Sequence, residues 1–295
     1  METGNDCLAC FMKQALNTVK LATDDVDMQY QILTEVGAML GSFPRNVSPP
    51  ENAVGYYRLI AEKTKTPDPY AGIKKRSNDF ALSLEKQTQK FIEQSRDPLL
   101  AALRFAIGAN VLDNGAQQQL GIEETLAACQ EQELVINHYK PLCEKLAASR
   151  NVLLLADNCG EIVFDKLLVQ QLQNRGLTVT VGVRGGPAIN DATLAEAQYV
   201  GIDKLCKVIP NGADVPGTAL SMCTDEFTTT FAKADCILAK GMGNFECLSE
   251  VKAPLFFLFT VKCSTVRDHL HRRFEHAAVK IGSPVILCSK EMNQD

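Results

Sequence analysis

The chain of 295 residues lacks the long apolar run of roughly 20 residues that a membrane-spanning helix needs. Its longest apolar stretch, residues 253–261, has the length of a buried strand. The first residues are acidic and have no apolar centre, unlike a secretory signal. A formal net charge of −5 disfavours nucleic acid as the main partner. We therefore expect a cytoplasmic protein that binds neither membrane nor nucleic acid.

Several catalytic signatures are also missing. The four histidines form no His-Glu-x-x-His pattern, and no Gly-x-Ser-x-Gly elbow is present. The 11 cysteines are an odd number in a chain too long to need disulfide bonds for stability, so we expect reduced thiols. We therefore assign no catalytic role to histidine and expect most cysteines to be small core residues.

The two halves of the chain differ in their hydrophobic pattern. Apolar residues recur at helical spacing in residues 7–21 and 28–40, and further helices are predicted after Pro49, after Pro69, from Pro98 to about 110, and within 121–146. From residue 151, short apolar runs alternate with helix-length segments, which is typical of parallel βαβ units. The strands are predicted at 152–156, 178–183, 205–209, 236–239, 255–261 and 285–288. The sequence thus predicts an α/β fold, with a helical N-terminal domain at 1–148 and a Rossmann-like α/β/α sandwich, its sheet mainly parallel, at 149–295.

Polar side chains follow four of these predicted strands. They occur in the segments 157–161, 184–191, 210–214 and 240–246. Ligands of open α/β sheets bind where strands end and the next helices begin, so these segments are expected to share one edge of the sheet. This edge is our candidate active site.

The residue types at this edge suit the hydrolysis of a phosphate ester. Oxygen atoms of Asp157, Asn158 and Asp191 are ligands that Mg²⁺ or Mn²⁺ prefers. Glycines allow backbone N–H groups to approach an anion, and Lys240 offers a charge to a phosphoryl oxygen. The candidate catalytic residues are Asp157, Asn158 and Lys240, and the candidate substrate-binding residues are Gly160, Glu161, Arg184, Gly186, Asn190, Gly241, Asn244 and Glu246.

Each segment also has a purely structural interpretation. Asp157 and Asn158 after a strand are common in turns and helix N-caps, and the same holds for Asn190 followed by Asp191. The segment after Arg184 could be a tight turn, and the glycines after Lys240 match only part of a phosphate-binding loop. The occurrence of all of them at successive strand ends favours a site.

A separate motif lies at the N-terminus, where Cys7 and Cys10 form a Cys-x-x-Cys pair. Such a pair binds metal or works in redox chemistry, and its place on a first helical turn tends to lower thiol pKa values. A structural zinc site needs four ligands, and the sequence has no second pair at this spacing. Cys263 and Cys159 could complete a site in space. Simple packing of the thiols is the alternative.

At these residues the chain resembles a known family. The Cys-x-x-Cys pair, the segment 68–70, Asp157-Asn-Cys-Gly-Glu161, the segment 185–193 and Lys240-Gly-x-Gly-Asn-x-Glu246 are similar to the metal-dependent damage-control phosphatases, in particular their stand-alone prokaryotic branch. The resemblance covers nearly the whole chain. It implies a divalent metal (Mn, Mg, Ni or Co) held by Asp157, Asn158 and Asp191, and the hydrolysis of sugar phosphates or damaged phosphorylated metabolites.

Two other functions stay open at this point. The layered α/β architecture also suits a carboxyl methyltransferase that uses S-adenosylmethionine, although the loop after strand 152–156 has no Gly-x-Gly turn. The cysteine pair would suit a metal-binding protein without catalysis. The expected partner in the leading interpretation is a small phosphorylated metabolite.

Overall fold

The structure is a computed structural model that describes residues 1–117 and 129–292, with the backbone alone for 109–117. The N-terminal part is helical, as the hydrophobic pattern predicts. Its helices are α1 (Asn5–Ala22), α2 (Val26–Met39), α3 (Pro49–Thr64), α4 (Ala71–Gln94) and α5 (Pro98–Gln117). In none of the described segments is a helix long and apolar enough to cross a membrane.

Seven described strands form one sheet. They are β1 (Ile136–Asn137), β2 (Asn151–Leu155), β3 (Thr178–Val183), β4 (Lys207–Pro210), β5 (Cys236–Lys240), β6 (Leu255–Thr260) and β7 (Pro284–Cys288). Their order across the sheet is β1-β7-β6-β5-β2-β3-β4. Neighbouring strands run parallel except β6 and β7, which are antiparallel. The prediction of a mainly parallel sheet is therefore confirmed.

The remaining described helices connect these strands. They are α6 (Tyr139–Ala147), α7 (Glu161–Gln173), α8 (Leu194–Val200), α9 (Asp225–Lys233), α10 (Gly241–Leu248) and α11 (Ser264–His271). Strands β2, β5, β6 and β7 are buried on both faces because helices cover both sides of the sheet. On β2, Val152 and Leu154 pack towards α4, α5 and α7, whereas Leu153 and Leu155 pack towards α9 and α10. The result is a three-layer α/β/α sandwich.

Helices α1, α2 and α3 form a smaller apolar cluster of their own. Phe11 and Tyr56 lie at its centre with their rings 5.9 Å apart, and Ile32 and Val36 contribute from α2. Helix α5, by contrast, packs on the sheet layer with α7. Strand β1 lies before the predicted domain boundary at 148/149 yet belongs to the sheet. The sheet layer thus includes chain from both predicted domains, and the boundary itself stays a prediction.

Most predicted elements match the structure within a few residues. Two short helices, α10 and α11, were not predicted, since glycines begin the first and polar residues dominate the second. The predicted helical segment 121–146 contains β1 and all but the last residue of α6, and residues 121–128 lie outside the described residues.

Candidate active site

The site lies at the carboxyl ends of β2, β3 and β5. The chain passes from β2 to β3 on one side and later returns to β5 on the other side of β2. Open parallel sheets bind ligands in the crevice at such a change of direction. Asp157 follows β2, Arg184 follows β3, and Lys240 ends β5. The expected grouping of these strand ends is present in the fold.

Arg184 joins two carboxylates at this edge. Its Nε atom donates to Oδ2 of Asp191 over 2.6 Å, and its Nη2 atom donates to Oδ1 of Asp157 over 3.3 Å. Its Nη1 atom lies 3.4 Å from Oγ1 of Thr218 and 3.3 Å from Oδ1 of Asn244. Arg184 is 1% exposed, so it fixes both carboxylates from beneath the cavity rather than from its surface. The contact of Arg184 with substrate that the sequence suggests stays a prediction.

The loop that carries Asp191 is held in an unusual backbone conformation. Ile189 has a φ of +40°, which is strained for a β-branched residue. Asn158 and Asp191 form an isolated antiparallel bridge, and the backbone N–H of Ala192 donates to the carbonyl of Asp157. These contacts place Asp191 beside Asp157 and Asn158. The two segments are far apart in the sequence, since Asp191 lies 32 positions after Cys159.

Asn158 is oriented by its two acidic neighbours. Its Nδ2 atom donates to Oδ2 of Asp157 over 3.0 Å and to Oε1 of Glu161 over 3.1 Å. An amide has its nitrogen and oxygen on opposite sides, so Oδ1 is directed away from these carboxylates. Asn158 can therefore present an oxygen to a ligand next to Asp157.

Lys240 lies deeper than the sequence suggested. Its ammonium is fully buried, 3.1 Å from Oε2 of Glu161 and 3.0 Å from Oδ1 of Asp165. Burial alone would lower the pKa of Lys240, but Asp165 and Glu161 outweigh it and raise that pKa. This position corrects the expected phosphate contact: Lys240 supports Glu161, which in turn holds Asn158. Asp165 was missed, although a carboxylate among apolar helix positions is a signal of a buried partner.

Two glycines matter for the close packing of this edge. Gly241 has a φ of +80°, and a Cβ atom there would lie 1.9 Å from Oδ2 of Asp157. Gly160 has a φ of +81°, and its N–H donates to Oδ1 of Asn78 over 2.7 Å. The Gly160 amide is thus already used within the protein, so its predicted contact with a phosphate is not available in this arrangement.

A cavity of about 260 Å³ opens next to these residues. One wall carries the polar groups Asp157, Asn158, Asn190 and Asp191, together with Ile189. The opposite wall comes from the N-terminal helices and is mostly apolar. Its residues include Cys7, Cys10, Phe11, Gln14, Pro49, Pro50 and Ala53. The remaining lining comes from residues Asp6, Pro216, Met242, Gly243, Glu246, Lys262, Cys263 and Thr265.

Of the predicted substrate-binding residues, Asn190 and Glu246 line this cavity. The other predicted ones do not, namely Gly160, Glu161, Arg184, Gly186, Gly241 and Asn244. Asn244 is fully buried and donates to the carbonyl oxygens of Ala156 and Lys240. Arg184, Glu161 and Asn244 are buried and bonded within the protein, whereas Gly186 is half-buried, and a role of all six residues in substrate binding stays a prediction.

Lys262 is an exposed cation on the lining that sequence reasoning missed. It follows β6, just as Asp157 follows β2. The same rule of examining polar residues after strands would have found it. Its positive charge acts on the carboxyls of Asp157 and Glu161. Lys262 therefore brings a positive charge to the cavity, whereas Lys240 is buried below it.

The buried groups under the cavity carry more negative than positive charge. The carboxylates are Asp157, Glu161, Asp165 and Asp191, and the cations are Arg184 and Lys240. Burial and the neighbouring carboxylates of Asp191 and Glu161 raise the pKa of Asp157 to about 8. Burial also raises the pKa of Asp191, despite Arg184. An additional positive charge next to these carboxyls would therefore be electrostatically favourable.

The three cysteines of the predicted second metal or redox site line the same cavity. Cys7 is buried and Cys10 is exposed on α1, and Cys263 is the N-cap of α11, where its Sγ accepts from the N–H of Val266 over 3.4 Å. Burial raises the pKa of Cys7 and Cys10, and that of Cys263 to about 11. These directions are opposite to the lowering expected for thiols on the first turn of a helix.

No group of three or more His, Cys, Asp or Glu side chains in the described residues is arranged to hold a metal ion. The oxygen set has two carboxylates, with the amide of Asn158 as its third member. The thiol set of Cys7, Cys10 and Cys263 stays a prediction, as does a role for Cys159, which is buried and bonds to the carbonyl of Asp191.

Comparison with known proteins places this chain in a family. The family described as the damage-control phosphatase ARMT1-like domain matches residues 3–276. The chain belongs to the damage-control phosphatase family. A damage-control phosphatase of Archaeoglobus fulgidus is 34% identical over 88% of this chain and 92% of its own length. Another, from Pyrococcus horikoshii, is 30% identical over 92% of this chain and 94% of its own.

A solved structure is also similar to this member of the damage-control phosphatase family. The crystal structure of a DUF89 family protein from Pyrococcus horikoshii covers 98% of this chain and 99% of its own, with a TM-score of 0.87 and 28% identity. The prediction that this chain is a phosphatase, and thus a hydrolase, is confirmed. Its assignment to the stand-alone branch marked by the cysteine pair stays a prediction.

Proposed function

We propose that this damage-control phosphatase hydrolyses phosphate monoesters of small metabolites with a divalent metal ion at Asp157, Asn158 and Asp191. The observation that supports the metal is the charge of the buried network. Four buried carboxylates outnumber the two buried cations that pair with them, Arg184 and Lys240, while Lys262 and Lys74 act on the same carboxyls from beyond ion-pair distance. Buried charges are costly unless they are paired. A divalent cation at the cavity would balance them.

The donor atoms available at the cavity suit a hard cation. Carboxylate and amide oxygens are the ligands that Mg²⁺ and Mn²⁺ prefer, and Ni²⁺ or Co²⁺ are further candidates. Asp157, Asn158 and Asp191 all border the cavity. A bound metal would polarise the phosphoryl group and make a water molecule a better nucleophile.

The protein's own residues orient the reacting groups. Arg184 holds the carboxylates of Asp157 and Asp191, while Glu161, supported by Lys240, holds the amide of Asn158. Lys262 places a positive charge at the cavity, where it would attract a phosphoryl oxygen. The wall from α1 and α3 covers the organic part of the substrate. Sugar phosphates and damaged phosphorylated metabolites are the substrates we propose to test first.

The test is a phosphate-release screen of the purified protein against a panel of phosphate monoesters. Each ester is assayed with Mn²⁺, Mg²⁺, Ni²⁺ or Co²⁺, and again after removal of metal with a chelator. We expect hydrolysis that is lost on chelation and restored by at least one of these metals. Equal hydrolysis with and without metal would contradict the proposed metal site.

A further inference from the structure

One face of α4 carries two buried polar side chains close to the loops of the candidate site. Lys74 and Asn78 lie four positions apart, so they share this face of the helix, and each is 1% exposed. Neither is among the described residues that line the cavity. Buried polar groups are costly unless they are bonded, so the partners of these two side chains indicate their role.

Asn78 holds the loop after β2. Its Oδ1 atom accepts a hydrogen bond of 2.7 Å from the backbone N–H of Gly160, which follows Asn158 by two positions. The helix also packs closely on this loop, since a Cβ atom at Gly160 would lie 3.2 Å from the carbonyl oxygen of Ser77. Helix α4 thus fixes the loop that carries Asp157 and Asn158.

Lys74 acts on the loop after β3 through an acidic residue. Its Nζ atom lies 3.7 Å from Oε1 of Glu196, and Oε2 of Glu196 accepts from the backbone N–H of Thr193 over 2.9 Å. Thr193 is the N-cap of α8 and forms a capping box with Glu196. Because Thr193 follows Asp191 by two positions, this ion pair helps to fix the segment that carries Asp191.

A second carboxylate keeps Lys74 in place. Nζ of Lys74 lies 2.9 Å from Oδ2 of Asp68, whose Oδ1 atom accepts from the backbone N–H of Tyr70 over 3.0 Å. The hydroxyl of Tyr70 lies 2.9 Å from Oγ1 of Thr18 on α1. The ammonium between Asp68 and Glu196 therefore joins the N-terminal helices to α8.

We propose that Lys74 and Asn78 are positioning residues that fix the distance between the two loops of the metal site. One loop carries Asp157 and Asn158, and the other carries Asp191. This inference rests on the proposed metal-dependent phosphatase function. Ligand distances in a metal site vary by only about 0.2 Å, so a small shift of either loop weakens binding. A single helix that contacts both loops limits such shifts.

The test measures how tightly each variant binds metal and how fast it hydrolyses an ester. Titration calorimetry uses whichever of Mn²⁺, Mg²⁺, Ni²⁺ and Co²⁺ restores hydrolysis after chelation. Phosphate release is then measured against metal and ester concentration with the best ester of the screen. Lys74→Met and Asn78→Leu remove the contacts with little change in volume. Lys74→Arg keeps the charge, and Asn78→Asp keeps an acceptor for the N–H of Gly160.

Two control variants lie on the same helix. Lys75→Met removes the same charge from the next position, where the exposed lysine pairs with Asp79. Thr88→Val removes a fully buried hydroxyl that donates to the carbonyl of Leu84 over 2.9 Å, away from both loops. The first control shows the effect of net charge, and the second shows the effect of a lost buried hydrogen bond in α4.

We expect Lys74→Met and Asn78→Leu to raise the dissociation constant of the metal about tenfold or more and to lower kcat. The KM for the ester at saturating metal should change little, because neither side chain borders the cavity. Lys74→Arg and Asn78→Asp should recover part of the metal affinity. Both controls should bind metal as the natural protein does.

The direction of the change separates positioning from simple electrostatics. By charge alone, a nearby ammonium repels a metal ion, so the loss of Lys74 would tighten metal binding. A positioning role predicts weaker binding instead. Glu196→Gln and the double variant Lys74→Met/Glu196→Gln complete a double-mutant cycle. The two losses in metal affinity should not add, because both residues act through the same contact.

Three results would overturn the inference. They are unchanged or tighter metal binding in Lys74→Met and Asn78→Leu, additive losses in the cycle, and an equal loss of affinity in Thr88→Val. Thermal melting shows whether each variant is folded, and Glu196→Gln supplies the comparison if Lys74→Met does not fold. A natural protein that binds none of the four metals and hydrolyses no ester would instead contradict the proposed metal site itself.

Discussion

Nε of Arg184 donates a hydrogen bond of 2.6 Å to Oδ2 of Asp191, and both side chains are buried. The same guanidinium reaches Asp157, so one side chain sets the spacing of two proposed metal ligands. An arginine fork holds two acceptors in a fixed geometry, which a lysine ammonium does not reproduce. The proposed metal site therefore depends on a residue that does not border the cavity.

We expect Arg184→Lys to keep the fold but to lower activity at least tenfold and to raise the metal concentration needed for half-maximal activity. Arg184→Met should also destabilise the protein, by roughly 3 to 5 kcal/mol, because it leaves two buried carboxylates without their cation. Activity as a function of metal concentration and chemical denaturation of both variants check this. Normal metal dependence in Arg184→Lys would show that Arg184 does not set the ligand geometry.

Lys240→Met should lower stability more than a surface substitution does. The change leaves Glu161 and Asp165 buried without their cation, at a cost of roughly 3 to 5 kcal/mol. The double variant Lys240→Met/Asp165→Leu removes one of those carboxylates and should recover part of the lost stability. Denaturation of the two proteins provides the comparison. A double variant less stable than Lys240→Met would mean that Asp165 is not held by Lys240.

Gly241→Ala should disrupt the site through sterics alone. The new Cβ atom would lie 1.9 Å from Oδ2 of Asp157, at a φ of +80°. Gly176→Ala is the matched control, since its φ is +79° and no atom lies within 4 Å. The control should lose roughly 1 to 2 kcal/mol from backbone strain and keep its activity. Gly241→Ala should lose roughly 3 kcal/mol or more and most activity. Similar activities in the two variants would contradict the tight packing on Asp157.

His269 should make the protein sensitive to acid. Burial and the nearby Arg273 lower its pKa to about 4, from an ordinary value of 6.5. The unfolded chain therefore binds more protons between these values, so stability is fully present above pH 6.5 and falls as the pH decreases towards 4. Between pH 8 and pH 5, the free energy of unfolding should fall by roughly 1 to 2 kcal/mol less in His269→Gln than in the natural protein. Chemical denaturation at the two pH values measures this difference. Parallel losses in the two proteins would place the acid-sensitive group elsewhere.

The sequence was sufficient to predict the layers of the fold and the edge that carries the site. The apolar runs that became β2 and β3 are unambiguous, and the polar residues after them had to meet at one end of a parallel sheet. Asp157, Asn158 and Asp191 do lie together there. Strand β1 was not predictable from its own two residues, because its pairing with β7 depends on tertiary contacts.

The depth of each side chain was not predictable. The sequence does not show whether the ammonium of a lysine after a strand contacts a ligand or a buried carboxylate. Lys240 pairs with Asp165, which lies on α7 and 75 positions earlier in the sequence. The wall formed by α1 and α3 is another such case. Nothing in the helical pattern around Gln14 shows that this residue faces the active site, since that depends on how α1 packs against the α/β layer.

The central claim is that Asp157 is a ligand of the metal ion used for phosphate ester hydrolysis. The most direct test measures phosphate release against Mn²⁺ and Mg²⁺ concentration for the natural protein, for Asp157→Ala and for the control Asp225→Asn, whose carboxylate is exposed on α9. Titration calorimetry of the same proteins reports metal binding. The account predicts that Asp157→Ala stays folded but loses most metal affinity and activity, while the control is unaffected. Near-normal activity of Asp157→Ala at saturating metal would contradict it.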